Sequence, residues 1–124
     1  MQTTRLAVPT LDESTRMLKA FADPVRLRLL NVLSEDREVC VCHLHEALRL
    51  PQPTVSRHLA YLRKNGLVVG RKEGLWVHYR RARPKSSLHQ TLLDGLGFCL
   101  ADLEVFEQDR ERLLQVGSCC EGEC

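Results

Sequence analysis

Along this chain the apolar residues first repeat at helical spacing and then, past Gly66, begin to alternate. Met17, Leu18 and Phe21 share one face behind Thr10 and Glu13, whose capping-box spacing predicts a helix opening at Thr10. Asp23 before Pro24 predicts a second helix, with an acid as N-cap and proline at the first position. Val25, Leu27, Leu29, Leu30, Val32 and Leu33 make it apolar over much of its surface, which places it in the core. The polar run Ser34-Glu35-Asp36-Arg37 is a connection. Val39, Leu44, Ala47 and Leu48 then predict a third helix with Cys40 and Cys42 near its beginning. Leu50-Pro51 ends it, because proline disfavours helix at the residue before it. A fourth helix starts at Gln52-Pro53. Val55, Leu59 and Leu62 form its buried stripe, and Asn65-Gly66 supplies a left-handed end. Two short helices joined by a tight turn make a helix-turn-helix.

Alternation after Gly66 predicts two strands, Leu67 to Val69 and Leu75 to Tyr79, around a turn at Lys72-Glu73-Gly74. Arg71, Lys72, Arg80 and Arg81 make this hairpin basic, and a basic hairpin directly behind a helix-turn-helix is a wing. A last helix is expected from Ser86 or Ser87. Its apolar positions Leu92, Leu96, Cys99, Leu103 and Phe106 fall at intervals of 4, 3, 4 and 3, and Leu113 continues the series. That stripe suits a dimer interface, paired with the first helix. Cys99 on the seam is assigned to core packing. The expected fold is mainly α with a small β-hairpin wing, a winged helix-turn-helix dimerised through its N- and C-terminal helices. It has an arm over 1–9, one domain over 10–116 and a flexible Cys-rich tail over 117–124.

Composition changes this picture in two ways. The 124 residues suffice for one core, and no apolar run reaches the length of a membrane span or signal peptide. A cytoplasmic setting is therefore expected, without membrane partners. There, six cysteines read as metal ligands, sensors or buried thiols rather than a disulfide framework. The net charge of +2 also hides an asymmetry. Ten Lys or Arg and a single acid between Arg49 and Lys85 give that block +9, leaving −7 for the remainder. Such a block is the footprint of a surface that meets phosphates. With Val55, Leu59 and Leu62 turned inward, the fourth helix presents Gln52, Thr54, Ser56, Arg57 and His58 to the major groove, with Tyr61 on the same outer face. Arg63, Lys64, Arg71 and Lys72 are assigned to phosphates.

The run LPQPTVSRHLAYLRKNGLVVGRKEGLWVHYR resembles the ArsR/SmtB family of winged helix-turn-helix repressors, as do FADPVRLRLL before it and EVCVCHL at its head. The resemblance covers roughly residues 10 to 106. It implies a homodimer that binds double-stranded operator DNA with an inverted repeat and dissociates on binding a metal or metalloid, with no permanent cofactor, no enzymatic activity and no small-molecule substrate.

Cys40-Val41-Cys42 is similar to the arsenic-responsive element of that family, and thiolates suit soft ions such as As(III) or Sb(III). Residues two apart on a helix are separated by about 200°, so one ion held by both sulfurs is expected to distort the first turn. The family's further cysteine, three positions on, is here His45, and its usual Asp after the pair is His43. Trivalent arsenic favours three sulfurs, and Cys119, Cys120 and Cys124 in GSCCEGEC are candidates for the third. Zn(2+) on Cys40, Cys42, His43 or His45 is the alternative inducer. The family's zinc site on the last helix is poorly matched: His89 is present, but Ser87 replaces the acid before it. A thiol-redox sensor is a further alternative. A thiol-dependent arsenic enzyme would need an oxyanion-binding loop, whereas the glycines lie at caps and turns. A metal buffer with incidental DNA affinity would bind DNA without sequence preference.

Overall fold

The computed structural model describes residues 8–116, which contain α1 (Leu11–Phe21), α2 (Pro24–Val32), β1 (Val39–Cys40), α3 (Val41–Leu48), α4 (Gln52–Lys64), β2 (Val68–Glu73), β3 (Trp76–Arg81), α5 (Ser87–Cys99) and α6 (Glu104–Val116). No described helix is long and apolar enough to cross a membrane. The tail over 117–124, with Cys119, Cys120 and Cys124, lies outside the described residues, as does most of the arm.

The helix starts follow their caps. Thr10 and Glu13 close a capping box on α1, with Thr10 N–H donating to Glu13 Oε1 at 2.9 Å and Glu13 N–H to Thr10 Oγ1 at 3.1 Å. Asp23 accepts from the Val25 and Arg26 amides at the head of α2. Leu29, Leu30, Leu44, Val55, Leu59 and Leu62 are fully enclosed where α2, α3 and α4 meet. Arg26 ties three helices together. It donates to the carbonyls of Ala20 and Lys19 at the end of α1 and stacks on the Tyr61 ring of α4, 4.2 Å from its centroid.

The sheet departs from expectation. It has three strands in the order β1-β3-β2, all antiparallel, with Val39 opposite Tyr79 and Cys40 opposite His78. The residues leading into the thiol pair are thus hydrogen-bonded to the wing. The hairpin is also longer than expected. Glu73 pairs with Trp76, so the loop is Gly74-Leu75, and Gly74 holds the positive φ of +62° at its first position.

The long last helix is not formed. Its stripe is broken after Cys99 by a turn over 100–103, and Gly95 and Gly97 weaken the final turns of α5 as helix. The break lets α6 fold back onto α2 and α3. Phe106 and Leu113 therefore fill the core of their own chain. Cys99 is exposed, contrary to the core role expected of it.

Candidate DNA interface and thiol site

α4 presents most of the expected contact residues to solvent. Gln52, Arg57, Arg63 and Lys64 are exposed and Thr54 and Ser56 partly so. His58 is different: its Nδ1 lies 3.4 Å from Arg26 Nη1 and 3.7 Å from Asp23 Oδ2, with the side chain 14% exposed. It is occupied in the joint between α2 and α4. Burial lowers its pKa against the opposing pull of Asp23.

On the wing, Lys72 is exposed, while Arg71 is engaged. Its Nε lies 2.9 and 3.0 Å from the Glu38 carboxylate oxygens, its Nη2 is 2.7 Å from Glu38 Oε1, and Glu73 stands 3.2 Å away. Hydrogen bonds from Glu38 and then Glu73 raise the Arg71 pKa further, and the guanidinium in turn lowers that of Glu38. Arg71 thus fastens the wing to the residue before Val39-Cys40. That tether was not read from the sequence, because 33 residues separate its partners.

The thiol pair lies at the start of α3. Cys40 is the N-cap, in extended backbone at φ −68° and ψ 143°, and Cys42 N–H points to its sulfur at 3.4 Å. The two sulfurs are 3.0 Å apart and both residues are buried. Here the helical premise fails: with Cys40 outside the helix, the side chains converge without distorting the first turn. Sulfurs bound at about 2.3 Å to one tetrahedral ion stand about 3.8 Å apart, so a spread of under ~1 Å would seat both. His43 is buried, and His45 turns its Nδ1 towards Leu50 O, 3.3 Å away at the far end of α3. Among the described residues, no three His, Cys, Asp or Glu side chains gather as a metal site. His89 is 1% exposed and its Nδ1 accepts from Lys85 N–H.

The other end of α3 is held by charge. Asp109 on α6 is fully buried and accepts from Arg28 Nε at 2.8 Å, Arg28 Nη2 at 2.9 Å and Arg112 Nη2 at 2.8 Å. Those guanidiniums reach on to the last carbonyls of the helix, Arg28 to Leu48 O at 2.7 Å and Arg112 to Ala47 O at 2.6 Å. Arg28 comes from α2, so three elements meet at this cluster. Only the i, i+3 spacing of Asp109 and Arg112 hinted at it in the sequence.

Known proteins agree with this geometry. Residues 23–69 match the family model described as "Bacterial regulatory protein, arsR family". An arsenic resistance transcriptional regulator of Pseudomonas putida is 37% identical over 101 residues, covering 82% of this chain and 77% of that protein. The arsenical resistance operon repressor of Escherichia coli is 52% identical over 65 residues, 52% of this chain and 56% of that one. Among solved structures, HlyU from Vibrio cholerae superposes with a TM-score of 0.59 at 34% identity, over 71% of this chain and 94% of its own. These relatives are regulators of transcription, not enzymes. The chain belongs to the arsR family, as a winged helix-turn-helix transcriptional repressor of the ArsR/SmtB kind.

Proposed function

We propose that this repressor acts in the cytoplasm as a homodimer on an inverted-repeat operator, and leaves it when trivalent arsenic or antimony binds the Cys40 and Cys42 thiolates. The observation that carries the reading is the pair of sulfurs 3.0 Å apart at the head of the first helix of the helix-turn-helix. Paired thiolates favour a soft ion, and two relatives carry arsenic resistance in their names. The turn of His45 Nδ1 towards Leu50 O makes His45 the weaker of the two histidine candidates for a mixed Cys/His zinc set.

A third sulfur comes from Cys119, Cys120 or Cys124. The support is the placement of α6, which packs on α3, the helix headed by the thiols, and whose last residue, Val116, rests on the core. Dimerisation is supported by α1 and α5, which touch and leave Leu11 85%, Leu18 50% and Phe98 89% exposed. Two routes lead from the thiols to DNA: the short α3 into the recognition helix, and β1 into the wing. By linkage, an ion that binds the DNA-free form more tightly weakens operator affinity by the same factor.

The test uses the full chain and a fluorescent duplex selected in vitro by the wild-type protein. Arsenite should release the wild type and leave a Cys119/Cys120/Cys124 triple Ser variant bound. Release by Zn(2+) or peroxide but not arsenite replaces this reading with the zinc or redox alternative. Equal release of the triple variant removes the tail from the site.

A further inference from the structure

α3 and α4 stop in the same way. At the end of α4, Gly66 N–H donates to Arg63 O at 3.1 Å and Leu67 N–H to Leu62 O at 2.9 Å. At the end of α3, Arg49 N–H donates to Glu46 O and Leu50 N–H to His45 O, both at 3.1 Å. Both pairs are the crossed hydrogen bonds of a Schellman motif, whose turning residue takes the left-handed conformation. Gly66 does so at φ +77° and Arg49 at φ +56°. Of the three described residues with positive φ, the two others are glycines, Gly66 and Gly74.

An L-residue with a long side chain costs about 1–2 kcal/mol in that conformation relative to its usual ones. Arginine at the helix-turn-helix turn therefore opposes local backbone preference, and capping does not explain it. The carbonyls of Ala47 and Leu48 are already taken by Arg112 and Arg28. The Arg49 side chain is exposed and makes no hydrogen bond or ion pair with any described residue. It sits three residues before Gln52, the first residue of the recognition helix, and opens the block of charge +9. In a helix-turn-helix the first helix crosses the DNA backbone while the start of the second enters the groove, which brings this turn beside the phosphates.

We propose that Arg49 is a DNA-phosphate ligand, held by the left-handed turn at the mouth of the recognition helix. Such a contact carries no sequence information, so it contributes to operator and random duplexes alike. One phosphate contact adds about 0.9 to the slope of log affinity against log salt.

The experiment measures binding of wild type, Arg49→Gly, Arg49→Asn and Arg49→Lys to a random-sequence 30-base-pair duplex by anisotropy, from about 50 to 200 mM salt, with thermal melts alongside. Glycine and asparagine tolerate the turn, so both variants should melt no lower than a degree or two below wild type. Both should bind more weakly, and their deficit should narrow about threefold across that salt range. Arg49→Lys should keep the wild-type slope. Unchanged affinity and slope in the folded Gly and Asn variants overturns the assignment. A loss of affinity at unchanged slope also overturns it, because that would make Arg49 a shaper of the turn. Wild-type binding in the same titration separates this outcome from a failure of DNA binding itself.

Discussion

The two ends of α3 are built on different chemistry. Its first turn is closed by the Cys40 sulfur at the N-cap, with the Cys42 sulfur 3.0 Å away and a two-residue strand paired with the wing. Its last carbonyls are gripped by two guanidiniums that share one buried carboxylate. Thiols are weak hydrogen-bonding groups and ready ligands, so the first end can exchange partners at little cost. The buried ion cluster cannot, because removing one member strands the others without compensation. The contrast fits the proposed sensing role of one end, with positional rigidity at the other.

The largest expected effect breaks the rigid end. Asp109→Ala leaves Arg28 and Arg112 facing each other in a closed site and should cost about 3–5 kcal/mol in urea unfolding. A loss under about 1 kcal/mol would show that the cluster is not a clamp. At the thiol end, Cys40→Ser places a favoured N-cap residue where the thiol was, and stability should change by less than about 1 kcal/mol. A drop as large as that of Asp109→Ala would erase the contrast. Glu38→Gln releases Arg71 from its strongest partner while leaving the core intact. Its melting temperature should stay near wild type, whereas amide exchange in β1 and β3 should quicken; unchanged exchange would remove the wing from the sensing route.

The smallest effect is a pH control outside both ends. Burial, then Lys85 and Arg81, hold the His89 pKa below 6.5, and its neutral Nδ1 accepts from Lys85 N–H. A folded-state pKa below the unfolded one means that the unfolded chain binds the proton more tightly. The stability contributed is complete above about pH 6.5 and is lost as pH falls below it. Thermal melts between about pH 7.5 and 5.5 should decline for wild type and flatten for His89→Asn. Equal slopes would place the acid sensitivity elsewhere, for example at His58.

Local signals were legible in the sequence wherever chemistry acts within a few residues. The capping box at Thr10, the Asp23-Pro24 start and the stripe Val55, Leu59 and Leu62 all stand where their spacing put them. Features that depend on distant partners were not legible. The two-residue β1 exists only through its register with Tyr79 and His78. His58 shares the helical face of Arg57, yet Asp23 and Arg26, far away in sequence, draw it inward. Leu103 and Phe106 keep the seam's period across a turn, because spacing alone does not distinguish one helix from two that pack back on one core. The thiols show both sides. Their pairing was visible in Cys40-Val41-Cys42, but their convergence follows from the N-cap backbone of Cys40.

The central claim is that the first turn of α3 is the sensor. Its most direct test is arsenite titration of the DNA-bound Cys40→Ser/Cys42→Ser variant beside wild type, on the same selected duplex. The variant should bind that duplex with wild-type affinity and stay bound at arsenite concentrations that release wild type completely. Release of the variant over the wild-type concentration range would contradict it.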